Sequence, residues 1–170
     1  MFRRSIISLN SFGRRTLLSQ YRDFNKLDEA IHLTNSKSKW LLKDYFEGIE
    51  KIGIIGWGSQ GPAQAKNMRD TLESISLDIP IQIGLRPNSN SIKEAEESGF
   101  YVDTIENTLN SSDLNLLLTS DASQANNYQH FFSCLKPGST LGLSHGFLLG
   151  HLKNLEEDFP DNNVIMVAPK

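Results

Sequence analysis

Gly56, Gly58 and Gly61 stand at the spacing G-x-G-x-x-G, directly after the apolar run Ile52-Gly53-Ile54-Ile55. Glycines at such a strand-to-helix turn have separate roles. The first makes the tight turn, the second lets the backbone approach a pyrophosphate, and the third lets the helix pack against the strand. The helix would then aim unpaired N–H groups and the positive end of its dipole at the phosphates. Ile52, Ile54 and Ile55 suit a strand buried on both faces. Ala63, Ala65, Met68 and Leu72 follow at helical spacing behind Pro62, a residue tolerated in a first turn. The same glycines would also serve a tight turn with no ligand, so the motif needs a second signal.

That signal lies where the next strand ends. Ile79 to Leu85 reads as a strand, and the residue after it should be acidic if it holds a ribose 2′-hydroxyl. The chain has Arg86 there, followed by Ser89 and Ser91. A guanidinium and two hydroxyls cannot stand in for a carboxylate acceptor, but they suit a 2′-phosphate dianion. The residues therefore favour NADPH over NADH. Arg86 as a solvated loop cation and the serines as helix caps is the plainer alternative. For Ser91, ahead of Ile92-Lys93-Glu94, both readings are compatible.

Two further groups fall at the carboxyl ends of expected strands, where ligands bind in sheets of this kind. Thr119-Ser120-Asp121-Ala122-Ser123-Gln124 follows Leu114–Leu118, and Ser144-His145-Gly146 follows Thr140–Leu143. Ser120 or Asp121 would serve as a helix N-cap, a cofactor contact, or both. His145 would polarise a carbonyl or relay a proton, or it is a hydrogen-bonded structural histidine. His32, His130 and His151 have no comparable position, and no Asp/Glu/His cluster has metal-ligand spacing.

The elements that must position these groups alternate. Strand Ile52–Ile55 leads to a helix over Gln64–Ser74, and strand Ile81–Leu85 to one over Ile92–Ser98. A short strand near Tyr101-Val102 precedes a small helix near Ile105–Asn110, and strand Leu114–Leu118 precedes a helix over Gln124–Leu135. Strand Thr140–Leu143, a helix near Leu148–Glu156 and strand Val164–Val167 complete the pattern. Such alternation implies an α/β fold: a Rossmann-like, doubly wound, mostly parallel sheet with helices on both faces. Residues 51–170 form this domain. Residues 23–50 read as a polar arm with a helical patch at Trp40–Phe46 that packs on the first strand.

The chain has 170 residues and a formal net charge of −3. Five of its 17 basic residues and none of its 20 acidic ones lie in residues 1–22, so the remainder carries 12 against 20. A body that acidic is a poor nucleic-acid binder. No apolar run is long enough to span a membrane, and the single cysteine, Cys134, excludes an intrachain disulfide. Residues 1–22 are rich in Arg and Ser, with Phe2, Ile6 and Leu9 at helical spacing, which is an organelle transit-peptide pattern. Mitochondrion and plastid both fit, with mitochondrion placed first. A disordered basic tail is the alternative.

Taken together, several segments resemble one family, ketol-acid reductoisomerase, also called acetohydroxy-acid reductoisomerase. They are Ile55-Gly56-Trp57-Gly58-Ser59-Gln60-Gly61-Pro62-Ala63-Gln64, Gly84-Leu85-Arg86, Leu117-Leu118-Thr119-Ser120-Asp121, Leu143 to His151 and Val167-Ala168-Pro169-Lys170. The resemblance covers roughly residues 46–170, and the long plant-type branch is the nearer match. It implies an NADPH-dependent enzyme of valine and isoleucine biosynthesis. Such an enzyme moves an alkyl group in 2-acetolactate or 2-aceto-2-hydroxybutyrate with the help of two Mg²⁺ ions, then reduces the product. It implies that His145 and Lys170 are active-site residues. It also implies that Gly56, Trp57, Gly58, Ser59, Gln60 and Gly61 hold the cofactor, with Arg86, Ser89 and Ser91 as the 2′-phosphate clamp. Ser120, Asp121, Ala122, Ser123 and Gln124 would form a second cofactor loop. Pro87 and Asn88 depart from the family's basic-glycine pair.

The family's metal-binding carboxylates sit in an all-helical domain beyond Lys170, so no metal ligand is expected here and the chain alone is expected to be inactive. Homo-oligomers are expected of the full-length family. The competing readings are a short NADPH-binding module without catalysis, and another NADPH dehydrogenase on the same fold. Fused ahead of a fluorescent protein, residues 1–30 should direct it into an organelle; a diffuse cytosolic signal would defeat the transit-peptide reading.

Overall fold

The computed structural model describes residues 19–24, 27–32 and 42–168. The chain divides into two units, Met1–Tyr45 and Phe46–Lys170. In the first unit, β1 (Ser19–Phe24) and β2 (Leu27–His32) pair antiparallel, from Ser19 opposite His32 to Phe24 opposite Leu27. β1 runs across the boundary expected at residue 22, and a hairpin stands where a polar arm was expected. The helical patch expected at Trp40–Phe46 is the short α1, Leu42–Tyr45.

The second unit alternates strand and helix. β3 (Ile52–Ile55) leads to α2 (Gly61–Ser74), β4 (Ile81–Leu85) to α3 (Ile92–Glu97), and β5 (Tyr101–Thr104) to α4 (Ile105–Ser111). β6 (Leu114–Leu117) then leads to α5 (Asp121–Cys134), β7 (Thr140–Leu143) to α6 (Phe147–Leu155), and β8 (Asn163–Met166) ends the sheet. The strands lie in the order β5-β4-β3-β6-β7-β8, every neighbouring pair parallel. This is the doubly wound arrangement expected from sequence. α2 starts at Gly61, three residues before the expected Gln64, because Pro62 needs no N–H partner in a first turn.

Two apolar clusters fill the two faces. Ile52 and Ile54 pack with Ala65 and Leu72 of α2, Ile83 of β4 and Ala95 of α3. Ile55 faces the other way, with Leu109 of α4, Phe131 of α5 and Leu148 and Leu152 of α6. β3 is buried throughout, as a central parallel strand covered on both sides must be. Phe46 and Ile49 pack against the first cluster, so the domain takes in residues expected in the arm.

At the opposite end of the sheet from the glycine loop, Asp113 ties three segments together. Its Oδ2 accepts the N–H groups of Glu50 (2.8 Å) and Lys51 (3.0 Å), and its Oδ1 accepts Lys136 Nζ at 2.6 Å. Thus the entries to β3, β6 and β7 share one carboxylate. Burial works against its charge, but the hydrogen bonds from Lys136 and the two backbone amides prevail and hold the carboxyl below its ordinary value of 3.8. A depressed carboxyl stabilises the fold above its unfolded value, and that contribution is lost as pH falls through the folded one. Replacing Asp113 by Ala should lower stability by on the order of 1 kcal/mol at neutral pH. It should also flatten the acid limb of a denaturant-midpoint profile below about pH 4; an unchanged acid limb would refute the assignment.

Candidate cofactor site

β3 is the strand at which the sheet's winding reverses, with β4 on one side and β6 on the other. Its ladder continues to both neighbours as it ends: Gly56 N–H donates to Gly84 O (3.0 Å) and Leu118 N–H donates to Ile55 O (2.8 Å). The chain leaves β3 for one face of the sheet and β6 for the other, so a crevice opens between the two exits. A cavity of about 540 Å³ occupies it.

The glycine loop forms one wall. Gly56 has φ +106°, a conformation side chains rarely adopt, and a methyl there would stand 3.0 Å from Leu118 O. A methyl on Gly61 would stand 2.6 Å from Gly56 O, so only glycine lets α2 begin this close to the loop. A methyl on Gly58 would meet nothing within 4 Å. Gly58 lines the cavity, so the space its missing side chain leaves is open to a ligand. α2 has no side-chain N-cap, so none of its first-turn amides is bonded by a capping side chain. Trp57 also lines the cavity, but it is a buried anchor whose ring meets Phe100 edge-on at 5.6 Å. Arg69 lies over the other ring of that pair, 4.6 Å from the Phe100 centroid.

The loop after β4 forms the second wall. Arg86, Ser89 and Ser91 all line the cavity. Ser89 N–H donates to Arg86 O (3.1 Å), closing a turn with Pro87 and Asn88 at its centre. Asn88 has φ +62°, which asparagine tolerates better than most residues, and proline pre-sets the position before it. The departure at Pro87-Asn88 therefore keeps a tight turn. Ser91 stands at the N-cap of α3 but makes no cap hydrogen bond, because its backbone is helical rather than extended. Its N–H instead donates to Ser89 Oγ (3.3 Å). Arg86 is exposed and makes no ion pair with any described residue.

The third wall is the loop after β6 and the start of α5. Ser120 lines the cavity and also caps α5, accepting Ser123 N–H at 3.4 Å, so the N-cap role weighed for it holds. Ala122 and Ser123 line the cavity as well. Gln124 does not: it is buried, and its Nε2 donates to Thr119 O at 2.8 Å, fastening the loop from within. Ser59, Gln60 and Gly61 shape the turn without lining the cavity. Asp121 turns away, its Oδ1 3.4 Å from His145 Nε2, and neither residue lines the cavity. Lys170 lies outside the described residues.

Three lining residues were not singled out from sequence: Ile105, Asn126 and Asn127. The two asparagines lie three and four positions after Ser123, and helical spacing puts them on its face. The buried Oγ1 of Thr119 and Nε1 of Trp57 have no protein partner.

The acetohydroxy acid isomeroreductase, NADPH-binding domain model matches residues 48–170. The chain belongs to this family. Against the chloroplastic ketol-acid reductoisomerase of Pisum sativum it is 56% identical over 136 residues, which is 76% of this chain and 23% of the pea protein. Against the ketol-acid reductoisomerase (NADP(+)) of Pyrococcus abyssi it is 38% identical over 141 residues, 82% of this chain and 39% of that protein. The chain thus spans about a quarter of the plant relative's length. A solved NADH-preferring ketol-acid reductoisomerase from an uncultured archean superposes with a TM-score of 0.58 at 30% identity, covering 78% of this chain and 38% of that one. The crevice therefore belongs to the NADPH-binding domain of an acetohydroxy acid isomeroreductase.

The second and third glycine positions separate fold from ligand. Gly61→Ala should lower stability by about 1–3 kcal/mol through its clash with the loop carbonyl. Gly58→Ala should leave the denaturant midpoint unchanged while weakening NADPH binding by about tenfold, or 1.4 kcal/mol. A Gly58→Ala chain that binds as tightly as the parent in a fluorescence titration would remove the pyrophosphate from this wall.

Proposed function

We propose that this chain supplies the NADPH-holding part of a ketol-acid reductoisomerase. In that reading the whole enzyme moves an alkyl group in 2-acetolactate or 2-aceto-2-hydroxybutyrate, then reduces the product to a 2,3-dihydroxy acid in valine and isoleucine biosynthesis. The single supporting observation is one cavity that joins the open face of Gly58 to Arg86, Ser89 and Ser91. Gly58 would bring its backbone amide to the pyrophosphate, with the start of α2 behind it. Arg86 would pair with the 2′-phosphate, and the Ser89 and Ser91 hydroxyls would donate to it. Thr119, Ser120, Ala122 and Ser123 would close over the other side. Bound NADPH supplies a hydride. His145, at the end of β7, would polarise the substrate carbonyl or relay a proton. Lys170 is carried as a second active-site residue by resemblance.

Among the described residues no group of three His, Cys, Asp or Glu side chains could hold a metal ion. No step is therefore assigned to Mg²⁺ through them. No described helix is long and apolar enough to cross a membrane. Assembly into homo-oligomers belongs to the same reading of the whole enzyme. The pea and spinach relatives are both named chloroplastic, so we read the arginine-rich leader as a plastid address rather than placing mitochondrion first.

The archaean neighbour is described as preferring NADH, so the shared fold does not decide between the two dinucleotides. The rim does. Arg86→Asp should weaken NADPH binding by about 10- to 100-fold, the value of one or two charge-assisted hydrogen bonds. NADH, without the 2′-phosphate, should be far less affected. Equal affinity of the parent and the variant for NADPH would overturn the clamp.

A further inference from the structure

We infer that Asp121 is a positioning residue for His145, and not a contact of the cofactor. The inference rests on the reading above only in taking His145 as the residue that meets substrate. Sequence placed Asp121 in the cofactor loop, beside Ser120 and Ala122. Those two line the cavity and Asp121 does not. Its carboxylate reaches across from the start of α5 to the end of β7, where Oδ1 lies 3.4 Å from His145 Nε2.

The other ring nitrogen decides what that contact does. α6 begins at Phe147 behind Gly146, and a glycine N-cap has no side chain to offer the first-turn amides. His145 supplies the missing acceptor, and Phe147 N–H donates to its Nδ1 at 3.4 Å. A nitrogen that accepts cannot carry a proton, so in the neutral ring the proton sits on Nε2. Nε2 is the atom that faces Asp121. The helix start and the carboxylate thus hold the ring from both edges and select one tautomer. Both side chains are about half exposed, 46% for His145 and 57% for Asp121, so the ring keeps a solvent-facing side for a substrate. At 3.4 Å the two contacts are long, as such contacts often are before a substrate arrives.

The test uses the ¹⁵N-labelled chain and long-range ¹H–¹⁵N spectra of the His145 ring in its neutral form. The parent should show an unprotonated Nδ1 and a protonated Nε2. Asp121→Ala should shift both resonances toward the averaged values of a free imidazole. Asp121→Asn, whose amide oxygen can face Nε2–H as the carboxylate does, should restore the parent pattern. Both variants should bind NADPH within about twofold of the parent. Ring resonances that stay at parent values in a folded Asp121→Ala chain would overturn the inference. So would a loss of NADPH affinity in both variants comparable to that of Arg86→Asp. If Asp121→Ala does not fold, Asp121→Asn alone still decides: NADPH affinity falling with the ring pattern kept assigns Asp121 to the cofactor. Failure of the parent chain to bind NADPH would instead strike the proposed function and leave the ring readout standing.

Discussion

Three backbones converge within van der Waals contact where β3 ends, and the rest of the site depends on that approach. Gly56 turns against the Leu118–Thr119 backbone, and Gly61 begins α2 against the Gly56 carbonyl. Side chains at either point would push α2 off the sheet or β6 away from β3. With the backbones this close, the start of α2 and the loop after β6 become opposite sides of one crevice. The second glycine of the group, Gly58, is left facing space. Thus the same motif that closes the fold also leaves the opening for a ligand.

The sheet beneath is built to hold that point still. β3 is buried on both faces, by α2 and α3 on one and by α4, α5 and α6 on the other. α4 lies close because Gly53 and Gly84 present no side chain to it: methyl groups there would run into Thr108, and one on Gly53 also into Asn115 of β6. Thr108 is itself held, its hydroxyl donating to Thr104 O (2.8 Å) and accepting from Gln82 Nε2 (3.0 Å). At the far end, Asp113 joins the entries to β3, β6 and β7, and Asn162 Nδ2 donates to Lys136 O and Ser139 O to secure the entry to β8. Binding groups at one end of the strands therefore sit on a frame fastened at the other.

The charge discrimination we propose belongs to a separate loop, which would make it adjustable without disturbing the frame. Arg86, Ser89 and Ser91 hang from a tight turn in which Asn88 takes the left-handed conformation. The turn needs only residues that tolerate that geometry, while its side chains are free to vary. This separates the proposed 2′-phosphate clamp from the fold, which is shared with a relative described as preferring NADH.

The sequence by itself determined the strand and helix alternation, because burial on both faces demands unbroken apolar strands and amphipathic helices. It determined the glycine turn, because few other backbones fit a G-x-G-x-x-G spacing after such a strand. It also placed Arg86, Ser89 and Ser91, whose position follows from where β4 must stop. The hairpin of β1 and β2 was not legible, since its short polar strands have no apolar period. Nor were the roles within Ser120–Gln124. Five consecutive residues at a helix start point in different directions: Ser120, Ala122 and Ser123 into the cavity, Gln124 into the interior, and Asp121 to His145. Asn126 and Asn127 join the wall only because α5 docks with that face toward the cavity. Helical rotation and the distance between β6 and β7 decided those assignments. Both depend on how α5 and α6 pack, which no local pattern encodes.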